Sequence, residues 1–107
     1  MVRVIIGPFE KVRLYGRKVM EIVAKMDTGA YRSSIDKELA KELGLKEVGE
    51  KGFRSSLGRE RRKLVRLKFE LAGKLIETDV SVADRSRMKY KMIVGRKDLK
   101  GFCIKID

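Results

Sequence analysis

Apolar and polar residues alternate along most of the chain, and alternation of that kind marks strands half buried in a sheet. From Lys18 to Met26, the residues Met20, Ile22, Ala24 and Met26 share one face, while Val19 and Val23 mix with Glu21 and Lys25 on the other. One face is core and the other at least partly wet. Lys11 to Tyr15 and a turn at Gly16-Arg17 come just before, which predicts a hairpin. Val2 to Ile6 forms an earlier short strand ended by the Gly7-Pro8 pair. Glu60 to Leu71 repeats the pattern, with Val65, Leu67, Phe69 and Leu71 set against Arg66, Lys68 and Glu70. It pairs with Glu47 to Arg54 through a turn at Ser55-Ser56-Leu57-Gly58. Gly49, Gly52 and Gly58 loosen this hairpin, which suits a flap over a site and equally a floppy surface hairpin. Ala72-Gly73 turns the chain into Lys74 to Ala83, where Ile76, Val80 and Val82 hold the core face. A polar turn at Asp84 to Arg87 is followed by a strand from Met88 to Val94 and a helical turn at Lys97 to Lys100. In the last strand Phe102, Ile104 and Ile106 alternate with Cys103 and Lys105.

The period changes once. Ile35, Leu39, Ala40 and Leu43 fall at helical spacing, Asp36 is a good N-cap and Gly44 a good terminator, so a short packing helix is predicted from Lys37 to Leu43. About seven or eight short strands with one or two short helices predict a mainly β fold closed into a compact barrel. A chain of 107 residues is expected to be one domain, 1–107, large enough for a single core and too small for two.

Composition then narrows the chemistry. Histidine is absent and Cys103 is the only cysteine, which removes the usual zinc and iron ligand sets, Ser-His-Asp and Cys-His catalysis, and any internal disulfide. Carboxylates and hydroxyls remain as the reactive groups. The lone cysteine fits a reducing compartment. No apolar run reaches the roughly 18 residues of a membrane span, and the amino terminus has no signal-peptide pattern, so the cytoplasm is the expected location. Asn, Gln and Trp are absent while Lys, Arg and Glu abound, a bias that points to a thermophilic source.

The net charge of +12 makes a basic nucleic-acid-binding barrel one reading. Its densest cluster is Arg59, Arg61, Arg62 and Lys63, but the charge is spread along the chain. Three tyrosines and four phenylalanines do not interleave with it as in an RNA-binding sheet. A solvated surface, or attraction to an acidic peptide substrate, accounts for the charge equally well.

One stretch concentrates candidate chemistry. Ala24-Lys25-Met26-Asp27-Thr28-Gly29-Ala30 is an apolar strand ending in an acid, a hydroxyl and a glycine. The rigid strand end holds Asp27, and Gly29 can take positive φ and let backbone or substrate lie close. Asp, Thr and Gly are also ordinary turn residues. A second stretch, Met92-Ile93-Val94-Gly95-Arg96-Lys97-Asp98-Leu99, changes the balance. Asp84 and Asp98 are expected in turn and cap roles rather than as a second reactive acid. Met20, Met26, Met88 and Met92 are expected as core fillers, and Cys103 as a small buried hydrophobe.

Together these residues resemble the retropepsin-like aspartic peptidases. Asp27-Thr28-Gly29-Ala30 matches the family's hydrophobic-hydrophobic-Asp-Thr/Ser-Gly-Ala motif, with Lys25 departing from its apolar start. Ile93-Val94-Gly95-Arg96, with Leu99, matches its second signature near the carboxyl end. In the family the arginine pairs with an acid two residues after the glycine of the first motif, where this chain has Tyr31. The stretches Ser55 to Arg62 and Val82 to Arg96 are similar to a prokaryotic branch that carries the name ATP-dependent zinc protease. Members of that branch are often associated with ligases that add amino-acid tails. No histidine, no second cysteine and no Gly-x-x-x-x-Gly-Lys-Ser/Thr loop is present, so neither zinc nor ATP nor any other cofactor is expected.

The resemblance implies a retropepsin-like barrel that acts as a homodimer on peptide or protein substrates, with Asp27 of each copy meeting on a two-fold axis. It implies that Thr28 braces the two loops, that Gly29 and Ala30 line the substrate, and that Gly95 and Arg96 anchor the loop region. Tyr31 and Lys25 motivate an alternative, a catalytically silent retropepsin-like binding or dimerisation module.

Overall fold

A computed structural model describes residues 3–55 and 58–106. The start of the first expected strand at Val2 and the hairpin tip at Ser56 and Leu57 lie outside the described residues. Nine strands form among the described residues: β1 (Val4–Ile6), β2 (Phe9–Tyr15), β3 (Val19–Asp27), β4 (Ser34–Asp36), β5 (Glu47–Ser55), β6 (Gly58–Leu71), β7 (Lys74–Ala83), β8 (Met92–Gly95) and β9 (Phe102–Ile104). One α-helix, α1 (Lys37–Glu42), and a 3-10 turn at Arg96–Asp98 complete the fold.

Six strands close a barrel in the order β2-β3-β8-β4-β7-β6, with β2 pairing back onto β6. The closing register sets Val12 opposite Leu71 and Leu14 opposite Phe69. Period-two alternation therefore turns Val12, Leu14, Leu67, Phe69 and Leu71 into one interior, joined by Ala24, Met26, Val80, Met92 and Val94. Burying a side chain such as Phe69 contributes about 1.5–3 kcal/mol. Outward-facing Lys, Arg and Glu on the same strands form exposed ion pairs such as Arg66 with Asp79, at 2.9 Å.

Turns follow local chemistry. Ala72 and Gly73 both take positive φ, +49° and +81°, the geometry of a tight two-residue hairpin between β6 and β7. Asp36 caps α1, its Oδ2 accepting from the Glu38 N–H at 3.2 Å, and Gly44 ends the helix region at φ +64°. Gly16 in the β2–β3 turn lies so close to the end of α1 that a Cβ there would fall 2.3 Å from the Leu43 carbonyl oxygen.

Five expectations are corrected. Ile35 belongs not to the helix but to β4, a three-residue strand held parallel to β7 and antiparallel to β8. All three of its residues are buried, so no alternation announces it. The strand expected from Met88 begins only at Met92. Residues 84–91 instead form a loop laced by Lys91, whose Nζ donates to the carbonyls of Arg85, Ser86 and Met88 at 3.0, 2.8 and 3.0 Å. Met88 is consequently 52% exposed rather than a core filler. Cys103, on β9, faces outward and is exposed, not a buried hydrophobe. The final strand stops at Ile104, leaving Ile106 79% exposed.

β9 pairs in parallel with β1, separately from the barrel. The other outlying element is the β5–β6 hairpin. Its outer half, from Glu50 opposite Lys63 to Ser55 opposite Gly58, continues past the barrel with little core beneath it.

Candidate active site

Asp27 is the last residue of β3 and Gly95 the last of β8, and the two strands run parallel with Asp27 directly opposite Gly95. Parallel pairing is what brings the two motifs together, although most of the chain separates them. The loop after Asp27 and the turn after Gly95 are then tied by backbone bonds, Arg96 N–H to Ala30 O and Lys97 N–H to Tyr31 O, both 2.9 Å. Gly95 cannot be anything larger. A Cβ there would lie 2.6 Å from the Arg32 carbonyl carbon and 2.7 Å from the Tyr31 oxygen, both backbone atoms that cannot step aside.

A buried polar chain reinforces the crossing. The Gly95 N–H donates to Ser33 Oγ at 3.0 Å, and the Ser33 hydroxyl donates to Asp98 Oδ2 at 2.7 Å. Ser33 is fully buried and Asp98 nearly so. Asp98 is thus neither a reactive acid nor a helix cap but the acceptor that ends this chain. Asp84, the other acid weighed for reactivity, is exposed and accepts from the Ser86 N–H and hydroxyl at 3.0 and 2.6 Å. Those two bonds hold its carboxyl below the usual carboxylate range.

The first motif forms a tight exposed loop. Asp27 is half-buried, and its Oδ1 accepts from the Gly29 N–H at 3.0 Å, while its carbonyl accepts from the Ala30 N–H at 3.3 Å. Thr28 and Gly29 are exposed and Ala30 half-buried. Gly29 does not use the positive φ open to glycine. A Cβ there would make a tight 3.2 Å approach to Asp27 Oδ1. Arg96 is exposed, its Nη1 3.5 Å from the Thr28 carbonyl and its guanidinium 5.4 Å from the centre of the Tyr31 ring. An aromatic face thus meets the arginine where the family pattern has a carboxylate.

Asp27 opens into a cavity of about 280 Å³, lined also by Phe9, Lys25, Arg85, Lys89, Tyr90 and Ile93. It is the one acid on that lining among the described residues. The Phe9 and Tyr90 rings stack at 4.8 Å and wall one side. Arg85 is positioned by the loop: its N–H donates to Asp36 Oδ1 at 2.8 Å and its Nε to the Tyr90 carbonyl at 2.9 Å. Burial lowers its pKa, against the opposing pull of Asp27 and Asp36. No spacing rule pointed to Arg85 or Lys89 as neighbours of Asp27; only the folded loop brings them there.

No protein-family model and no curated protein matches the sequence. Solved structures do match. A protein of unknown function (DUF785) from Legionella pneumophila superposes with a TM-score of 0.69 at 20% identity, covering 96% of this chain and 93% of that one. EIAV protease, in complex with the inhibitor HBY-793, gives 0.68 at 21%, over 89% and 86%. Simian foamy virus protease gives 0.65 at 14%, over 85% and 90%. The barrel has the retropepsin fold. The zinc in the prokaryotic branch's name finds no fitting residues here: the chain has no histidine, and no cluster of three cysteine or carboxylate side chains occurs among the described residues.

Proposed function

We propose that the chain is an aspartic peptidase assembled from two copies, each giving one Asp27. The observation that carries this reading is the crossing of the Asp27-Thr28-Gly29 loop with Gly95-Arg96, which holds a half-buried carboxylate at the mouth of a cavity with no other acid on its wall among the described residues. Peptide hydrolysis by carboxylates alone needs two of them sharing one proton. The ionised carboxylate takes a proton from water, whose oxygen attacks the scissile carbonyl carbon while the protonated carboxyl donates to the carbonyl oxygen. The tetrahedral intermediate then breaks its C–N bond as the departing amine gains a proton. One chain supplies one such acid, so a second copy completes the pair. Exposed apolar side chains on and just past the β1–β9 ribbon, Val4 at 42%, Ile5 at 67% and Ile106 at 79%, support self-association. The finer likeness to the prokaryotic branch belongs to the same proposal and rests on the sequence of residues 55–62 and 82–96.

Asp27→Asn tests it. The variant is expected to fold and dimerise as the parent does and to lose at least a thousandfold in peptide cleavage, roughly the scale on which removing a reacting group acts. Unchanged cleavage ends the proposal.

A second reading is favoured by one observation: Lys25, Arg85 and Lys89 share the cavity with Asp27. Fixed cations oppose holding a proton between two carboxylates. In that reading the dimer binds peptides without cleaving them, and a stable dimer that turns over nothing in a broad peptide library supports it.

A further inference from the structure

A second cavity, about 430 Å³, lies between the β5–β6 hairpin and the loop that follows Asp27. Two aromatic rings line it from opposite elements, Phe53 on β5 and Tyr31 two residues past Gly29. Each ring has a guanidinium on it: Arg62 lies 4.8 Å from the centre of Phe53, and Arg96 lies 5.4 Å from that of Tyr31. Every charged side chain on the lining is a cation, namely Arg32, Lys51, Arg54 and Arg62. Arg62 is paired with Glu60 at 2.6 Å, and Arg32 Nη1 reaches only a backbone carbonyl, that of Asp79, at 3.4 Å. Lys51 and Arg54 meet no carboxylate among the described residues. On the outer barrel wall, by contrast, Arg66 has Asp79 and Arg13 has Glu21.

Resting on the peptidase reading, we propose that this cavity is a substrate subsite for a side chain with an anionic end, a carboxylate or a phosphate. Phe53 and Tyr31 grip its stem from the hairpin and from the loop, and Arg54 and Lys51 read its charge. Unpaired cations gathered without a counter-charge repel one another, and an anion entering among them relieves that repulsion while gaining charge-assisted hydrogen bonds. Ion pairs in such a partly enclosed site are screened less than on an open wall. Because Lys51, Phe53 and Arg54 all belong to β5, binding the anion also draws the hairpin toward the Asp27 loop.

Binding to Asp27→Asn protein isolates recognition from cleavage. Fluorescein-labelled octapeptides alternating Ala with Glu, with phosphoserine or with Gln are titrated by fluorescence anisotropy at fixed ionic strength. The Glu or the phosphoserine peptide is expected to bind at least about tenfold more tightly than the Gln peptide, and whichever binds tighter identifies the anion. Arg54→Gln should remove about fivefold or more of that preference, with Arg54→Lys restoring part of it. Phe53→Ala should weaken all three peptides together. Equal binding of the Gln peptide overturns the inference, as does an unchanged preference in Arg54→Gln, or a 12-nucleotide RNA that displaces the peptides at lower concentration. Cleavage by the parent protein that ignores substrate charge removes the subsite and leaves the peptidase reading standing. Charge-selective binding in a dimer that cleaves nothing removes the peptidase reading and leaves the subsite.

Discussion

The crossing of the Asp27 and Gly95 loops and the outer half of the β5–β6 hairpin are built on opposite principles. At the crossing, backbone passes within van der Waals limits of backbone, and a buried Ser33–Asp98 chain satisfies the polar groups trapped there. At the hairpin, ladder hydrogen bonds and an exposed ion pair, Arg61 with Glu50 at 3.4 Å, hold two strands with little core beneath them. A reacting carboxylate needs a fixed position, which close packing supplies. A covering element that must admit and release substrate needs shallow energetics, which an exposed ribbon supplies.

The same substitution made in both regions gives the sharpest break. Gly95→Ala forces a methyl group onto the backbone of residues 31 and 32 and is expected to cost about 3 kcal/mol or more. Gly52→Ala, whose Cβ would meet nothing within 4 Å, is expected to stay within about 0.5 kcal/mol of the parent. Urea unfolding of the two variants measures the contrast, and equal losses would mean that the crossing is not the tighter region. Next in size is Ser33→Ala, which leaves the Gly95 N–H without an acceptor and Asp98 without a donor. About 2 kcal/mol of stability should go, with a double-mutant cycle against Asp98→Asn showing coupling of about 0.5 kcal/mol or more.

On the hairpin, Arg61→Ala breaks an exposed pair and should change stability by less than about 0.5 kcal/mol, less still at high salt. Smallest is a pH effect at Asp84. Its carboxyl titrates below the ordinary carboxylate value in the folded chain, so its stabilising contribution is complete above that ordinary value and disappears as pH falls through the lower folded one. Asp84→Asn should flatten the melting temperature slightly between about pH 5 and pH 2 and leave it unchanged near neutrality. An unaltered acid slope would show that the Ser86 bonds do not hold that charge.

Fold and site differ in how much of each could be read in advance. The barrel strands β2, β3, β6 and β7 announce themselves, because alternation needs only neighbouring residues and one wet face. The α1 boundaries do so too, since Asp36 and Gly44 act on groups within a turn of themselves. β4 stays hidden because all three of its residues are buried, and the Met88–Lys91 segment alternates like a strand while Lys91 folds it into a loop. At the site, the two motifs were visible as separate stretches, and their contact was expected only by resemblance.

What the sequence determined by itself is therefore local: which residues face inward along each strand, where the helix starts and stops, and that no histidine is at hand. Tertiary structure alone decided that β3 and β8 run side by side, that only glycine fits at residue 95, and that Arg96 meets the ring of Tyr31. It also decided that Lys25 and Arg85 share a cavity with Asp27, and that Phe53 and Arg54 line another with Tyr31. These are contacts between segments far apart in the chain, set by how a closed sheet brings strand ends together, and no pattern of near neighbours encodes them.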